Sequence, residues 1–264
     1  SSDVCSSDLP PVRLAEKEDV VVPSQQLSNS LANRIIYRQD GIIVLNKPSG
    51  LPVHGGSGVA YGAIEALRAI YPQTEFLELV HRLDRDTSGV LLLAKKRSAL
   101  VELHRQIREN QTDKRYYLLA HGEIKQGAQV MQLKYPLHKY LLANGERRVR
   151  VDPEGLPSHT ALRVSKVMRR DDAAITLAEA QLKTGRTHQI RVHLQKLGHA
   201  ILGDDKYGFE DRDKQIKSKR LYLHAHLAGF THPRTGEKMR IESPIPAEFT
   251  AMMKTFEQVN STQE

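Results

Sequence analysis

The segment HRLDRDTSG, residues 81–89, gathers two carboxylates, two guanidinium groups, an imidazole and two hydroxyls in nine positions. A carboxylate in such a setting can act on a substrate if a neighbouring cation keeps it ionised. The competing reading is a solvated turn, in which Asp84 and Asp86 cap backbone groups and pair with Arg82 and Arg85. Local sequence alone does not choose between them.

Other chemistries lack their residues. There is no GxxxxGK[ST] phosphate loop, and Gly55, Gly56, Gly58 and Gly62 miss the GxGxxG spacing and follow a loop rather than a strand. No GxSxG elbow supplies a serine nucleophile. The twelve histidines include no HExxH; His188 and His193 stand five apart, and His224 and His226 read as strand histidines that pack within a sheet. The single cysteine, Cys5, can form neither an internal disulfide nor a cysteine-based zinc site. No cofactor and no metal are expected.

The 264 residues carry a formal charge of +8, which favours a polyanionic partner. Part of the excess is local, since seven Lys or Arg lie between Lys95 and Arg115 against Glu102, Glu109 and Asp113. No window approaches the roughly 18 consecutive apolar residues of a membrane span, and the first residues lack the layout of a signal peptide. A cytoplasmic protein with no membrane contact is expected.

The elements that must position the polar loop can be read from periodicity. Two β-branched runs in RIIYRQDGIIVLNKP flank Asp40-Gly41 and predict a hairpin. After the Pro/Gly-rich loop NKPSGLPVHGGSG, the spacing of Ala63, Ile64, Leu67, Ile70 and Tyr71 predicts a helix over 60–71. The polar loop is followed by an apolar strand, GVLLLAKK, and a helix from about Ser98 with Leu100, Leu103 and Ile107 on one face. Strands are predicted at 115–121, 129–135, 159–167, 173–182, 220–230 and 238–242. A helix over 187–197 presents Ile190, His193, Leu194 and Leu197 and stops at Gly198. Connections too short for helical crossovers predict an α+β fold, a mainly antiparallel mixed sheet with flanking helices.

These motifs, taken in order, resemble the RluA-type pseudouridine synthases. HRLD followed after two residues by TSG matches the hallmark of that family. Lys114 and Tyr116 in KRYYLLAHGE match a second element, and GRTHQIRVH (185–193) with LGHAILGDDKYG (197–208) a third. HAHLAGFTHPRTGE resembles the closing strand and turn, so the likeness spans roughly residues 34–248. Within the family, NKPSGLPVHGGSG, LELVHRLDRDTSGVLLLAKKRSAL and PPVRLAE look most like the RluC branch, which modifies uridines of 23S (large-subunit) ribosomal RNA.

The resemblance implies an isomerase with a pseudouridine-synthase fold that rejoins uracil to ribose through carbon 5 and flips its target base. Asp84 would be the catalytic carboxylate, attacking ribose or uracil or abstracting a ribose proton. Arg191 would keep it ionised, and Tyr116 would stack on uracil and handle the proton at carbon 5. Tyr117 is its rival, because neighbours on a strand face opposite ways. Arg82 would fill the space left by the flipped base, the alternative being an ion pair with Asp86. Lys95, Lys96, Arg97, Lys114 and Arg186 would contact RNA phosphates. A monomer is expected.

Such enzymes usually begin with a small RNA-binding domain of the ribosomal-protein-S-four type. Residues 10–22 read as its remnant, residues 1–9 as a non-native scar repeating SSD, residues 23–33 as a polar linker, and 34–264 as the catalytic domain. Two other readings stay open: a synthase of the same family acting on transfer RNA, and a non-catalytic RNA-binding or assembly protein.

Overall fold

A computed structural model describes residues 24–39, 41–55, 61–125 and 129–257. The scar at 1–9, the remnant at 10–22 and Asp40 of the expected turn fall outside these residues.

The first element corrects the linker reading: Gln25–Ala32 is a helix, α1. The Ser24 hydroxyl accepts the Leu27 N–H at 3.2 Å, and Leu31 is fully buried with Leu27 packed beside it. Two leucines on one face and a capping serine outweigh a polar composition, because helices in proteins are stabilised chiefly by tertiary packing. The predicted hairpin follows as β1 (Ile35–Gln39) and β2 (Ile42–Lys47), antiparallel. Next come α2 (Ala63–Ile70), the short β3 (Glu78–Leu79), β4 (Ser88–Ala94) and α3 (Arg97–Arg108). The middle of the chain forms β5 (Asp113–His121), β6 (Met131–Leu133) and a separate hairpin of β7 (Leu137–Leu141) and β8 (Arg147–Val151). It continues through β9 (Thr160–Arg170), β10 (Ala173–Leu182), α4 (Gln189–Lys196) and α5 (Glu210–Ile216). The described residues close with β11 (Leu223–Thr231), β12 (Lys238–Glu242) and α6 (Ala247–Glu257).

The main sheet has ten strands in the order β1-β2-β4-β11-β5-β10-β9-β6, with β3 also on β4 and β12 also on β11. Every pair is antiparallel except β4 with β11, so the α+β, mainly antiparallel mixed sheet predicted from connection lengths is the architecture found. The runs Ile42 to Leu45 of β2 and Val90 to Ala94 of β4 are unbroken apolar because both faces of these strands are covered. Ile43, Leu45, Leu91 and Leu93 join α2 and α6 on one side. Ile42, Val44, Val90 and Leu92 join Leu103 of α3 and Phe230 on the other, the alternation that a pleated strand imposes.

The parallel junction requires a glycine. Gly89 has φ +111, and a Cβ there would sit 2.1 Å from the Ala225 carbonyl oxygen. Ser88 beside it accepts from Arg220 Nη2 at 2.7 Å and shares a hydrogen bond with His224 Nδ1 at 2.9 Å. His226 bonds Glu179 at 3.1 Å and stacks on Tyr117 at 3.8 Å, so both histidines serve the sheet. Among the described residues no group of His, Cys, Asp and Glu is placed to hold a metal ion, and no helix is long and apolar enough to cross a membrane.

Candidate active site

The loop 81–87 runs from β3 into β4 with Leu83 buried beneath it and Asp84 partly exposed above. Its backbone is clamped by Lys47, a fully buried residue whose Nζ donates to the carbonyls of Pro48 (2.9 Å), Leu51 (2.6 Å) and Arg85 (2.8 Å). Ser49 Oγ donates to the Asp86 carbonyl at 2.7 Å, and the Thr87 N–H closes a turn on the Asp84 carbonyl at 3.2 Å. Burial pulls the Lys47 ammonium down to about 7, with Asp86 and Asp84 pulling the other way. Three carbonyl acceptors match its three donors. Lys47→Met should leave them unsatisfied and lower unfolding stability by ~2–3 kcal/mol. A fall in the denaturant midpoint at constant slope checks this; an unchanged midpoint would show the clamp to be dispensable.

Asp84 meets its cation across the fold. Arg191 Nη1 donates to Asp84 Oδ2 at 3.3 Å, while Nε and Nη2 form a fork on Asp204 at 2.8 and 2.6 Å and Nη2 also reaches Asp205 at 3.0 Å. The Arg191 side chain is 3% exposed and that of Asp204 is 0% exposed, so a surface-arginine reading fails. Burial works against the guanidinium, but the bond to Asp204 and the charges of Asp204, Asp84 and Asp205 raise it further. Asp204 Oδ1 also accepts the N–H groups of Lys206 (3.0 Å) and Tyr207 (2.9 Å), which fixes the turn and, through it, the arginine. His188 approaches from the other side, Nε2 3.8 Å from Asp84 Oδ1.

A cavity of about 180 Å³ opens at Asp84, lined also by Arg82, Leu83, Lys114, Tyr116, Arg186 and His188. Strand alternation decides between the tyrosines: Tyr116 faces this cavity, and Tyr117 packs on His226. Burial, with the Asp84 charge second, pushes the Tyr116 hydroxyl up, so it stays protonated at neutral pH. Burial lowers the Lys114 ammonium, which has no ion-pair partner among the described residues. His81, under the loop, accepts the Leu92 N–H at Nε2 (3.2 Å); burial, aided by Lys114, holds it down to about 4 and neutral.

A larger cleft of about 890 Å³ adjoins the cavity, bordered by Arg82, Arg186, Lys206 and the β7–β8 residues Lys139, Tyr140, Arg147 and Arg148. Arg82 lines both spaces and makes no ion pair with Asp86. Arg186 leans on the Pro157 carbonyl at 3.1 Å. Lys95, Lys96 and Arg97 are not brought in: they follow the far end of β4, a seven-residue strand about 20 Å long, and line neither space. Thus Asp84, Tyr116, Arg191, Arg82, Lys114 and Arg186 converge. Asp204, His188, Tyr207 and Lys47 are parts of the site that motif reading leaves without a role, although DDKYG and NKP stood among the matched stretches.

The family model for RNA pseudouridylate synthase matches residues 41–196, the span that holds Asp84, Tyr116 and Arg191. The chain belongs to the RNA pseudouridylate synthase family. Ribosomal large subunit pseudouridine synthase C of Salmonella typhimurium is 52% identical over 243 residues, covering 90% of this chain and 74% of the relative. The same-named protein of Escherichia coli K12 gives the same figures, and that of Pasteurella multocida is 46% identical over 258 residues, covering 96% and 77%. Among solved structures, human RNA pseudouridylate synthase domain containing 1 aligns with a TM-score of 0.66 at 25% identity, over 80% of this chain and 82% of that one. Human RNA pseudouridylate synthase domain containing 4 shares the fold with a TM-score of 0.69 at 23% identity, over 88% and 96%. The synthase is an isomerase by family, and its sheet and flanking helices are those of pseudouridine synthase domains.

Proposed function

We propose that this protein isomerises specific uridines of large-subunit ribosomal RNA to pseudouridine in the cytoplasm, with Asp84 as the catalytic carboxylate. The observation that carries the reading is Asp84 itself, paired with a buried arginine at the mouth of a nucleoside-sized cavity inside a cationic cleft. The names of the relatives support the choice of RNA.

The reaction breaks the bond from ribose carbon 1 to uracil nitrogen 1, turns the base, and joins carbon 5 to the ribose. Carbon 5 loses a proton and nitrogen 1 gains one, so the sum is an isomerisation. Asp84 can attack the ribose or the uracil, or take a ribose proton. Tyr116 stacks on the base, and its protonated hydroxyl relays the proton at carbon 5. Lys114 offers an unpaired donor within the same cavity. One chain contains all of these groups, which supports a monomer as the working unit.

Arg82 takes the place vacated by the flipped base, and Arg186 with the β7–β8 cations follows the backbone. Lys95, Lys96 and Arg97 reach RNA only where it extends past the cleft. Arg82→Ala should raise KM roughly tenfold, the size of one stacking contact of ~1–3 kcal/mol, and leave turnover at saturating RNA much less affected. Unchanged turnover at limiting RNA removes Arg82 from this role. The function itself is tested by mapping pseudouridine in protein-free large-subunit RNA and in transfer RNA after incubation with the protein. New sites in the first support the proposal, sites confined to the second redirect it, and binding without product in both overturns it.

A further inference from the structure

His188 has the most unusual backbone at the site, φ 51 and ψ 20, at the turn into α4. A left-handed conformation is unfavourable for a residue with a Cβ and persists where surrounding structure imposes it, often at functional sites. Here it turns the imidazole between two partners: Nδ1 lies 2.7 Å from the Tyr207 hydroxyl, and Nε2 lies 3.8 Å from Asp84 Oδ1. The same hydroxyl accepts the Val149 N–H of β8 at 2.9 Å. Its own proton is free to go to His188 Nδ1, and a neutral imidazole that accepts there carries its proton on Nε2. That tautomer turns an N–H toward the acceptor-only carboxylate of Asp84, whereas the other would set a lone pair against it.

Burial, aided by the Arg191 and Lys206 cations, lowers the tendency of this ring to protonate, while Asp84 and Asp204 act in the opposite sense. The tyrosine is tied to the hairpin. Tyr207 packs with Leu137, Val149 and Val192, and Arg148 donates to the carbonyl of Lys206, the residue before it.

We propose that His188 is a positioning residue: locked by Tyr207 with its Nε2–H toward Asp84, it holds the carboxylate with Oδ2 on Arg191 and Oδ1 presented to substrate. Through Val149 it couples that orientation to the seating of the β7–β8 hairpin on RNA. At 3.8 Å it steers Oδ1 without sealing it in a full hydrogen bond. The proposal rests on the synthase reading above.

The test compares His188→Gln, which keeps an amide N–H near the place of Nε2, with His188→Leu, which does not. Both meet the same left-handed backbone, so their difference reports the donor. The leucine variant should lose roughly tenfold in kcat with little change in KM, because Asp84 loses the N–H that orients it, and the glutamine variant should recover most of that loss. Equal losses in both variants, or losses confined to KM or melting temperature, overturn the proposal. Independently of turnover, nitrogen NMR of histidine-labelled protein should show a ring, absent from His188→Gln, that is protonated at Nε2 and bare at Nδ1, with the Nδ1 signal shifted in Tyr207→Phe. A ring protonated at Nδ1 overturns the proposal whether or not the protein makes pseudouridine, and a wild type that makes none overturns the synthase reading instead.

Discussion

Asp84→Asn should abolish pseudouridine formation, a loss on the order of 10^4-fold or more, while RNA affinity stays nearly unchanged. The substitution keeps the shape of the side chain and removes only the charge that faces Arg191 at 3.3 Å. Amide nitrogen cannot attack carbon or accept a proton as a carboxylate does, so every route open to Asp84 fails together. On the proposed reading binding falls to cations spread along the cleft, and removing one negative charge from it does not oppose a polyanion. Single-turnover incubation with excess enzyme, read by a chemical map of the RNA beside a direct binding curve, separates the two quantities. Residual turnover near that of the wild type would exclude Asp84 as the catalytic group.

The second large effect concerns the buried pair behind it. Arg191→Met strands the Asp204 carboxylate, and Asp204→Leu takes the forked partner from the guanidinium and leaves it Asp84 and Asp205, each change falling at a position almost without solvent. Breaking a buried pair from one side costs about 3–5 kcal/mol, whereas replacing both partners with apolar groups of similar volume is often nearly neutral. Each single variant should therefore unfold at markedly lower denaturant, and the Arg191→Met, Asp204→Leu double variant should recover much of the stability. It should recover no activity, because Asp84 has lost its cation in the double variant as in Arg191→Met. If the double variant regained turnover along with stability, Arg191 would be a structural residue only.

Much of this architecture was legible because its strands are two-sided. The apolar runs of β2 and β4 bury Ile42 to Leu45 and Val90 to Leu93 on both faces, and such runs announce themselves in sequence. The β7–β8 hairpin did not. It buries only Leu137 and Val149 and exposes Lys139, Arg147 and Arg150, so no periodicity marks it, and Asn144-Gly145 between the two runs was its one signal. α1 was hidden for the opposite reason, since a single fully buried leucine gives too little pattern to outweigh polar neighbours.

The site divides in the same way. Asp84, Tyr116 and Arg191 stand in motifs, and motifs single out groups suited to chemistry. Asp204 reads as one acidic residue among several until the fold buries it under Arg191, and Lys47 as a surface lysine until three carbonyls close around it. Partnerships across 107 residues, as between Asp84 and Arg191, are made by the fold and have no local spacing to betray them. The place of the basic run at 95–97, outside both spaces, was hidden for the complementary reason: charge density is visible in sequence, but which end of a strand it occupies relative to the site is not.

The placement of β11 has a bearing on how this molecule comes to exist. It fills the slot between β4 and β5, yet it begins at Leu223, whereas β5 begins at Asp113. With synthesis at about 5–20 residues per second, roughly 5–20 s pass between the emergence of β5 and that of its neighbour. Throughout that interval β4, with its unbroken VLLLA, and β5 each offer a bare edge of the kind that recruits foreign strands. The two halves of the sheet are joined only when β11 arrives, after Asp204 and Arg191 have already been made. The nascent chain is thus exposed to aggregation throughout that interval, and a ribosome stalled before β11 leaves two unjoined half-sheets.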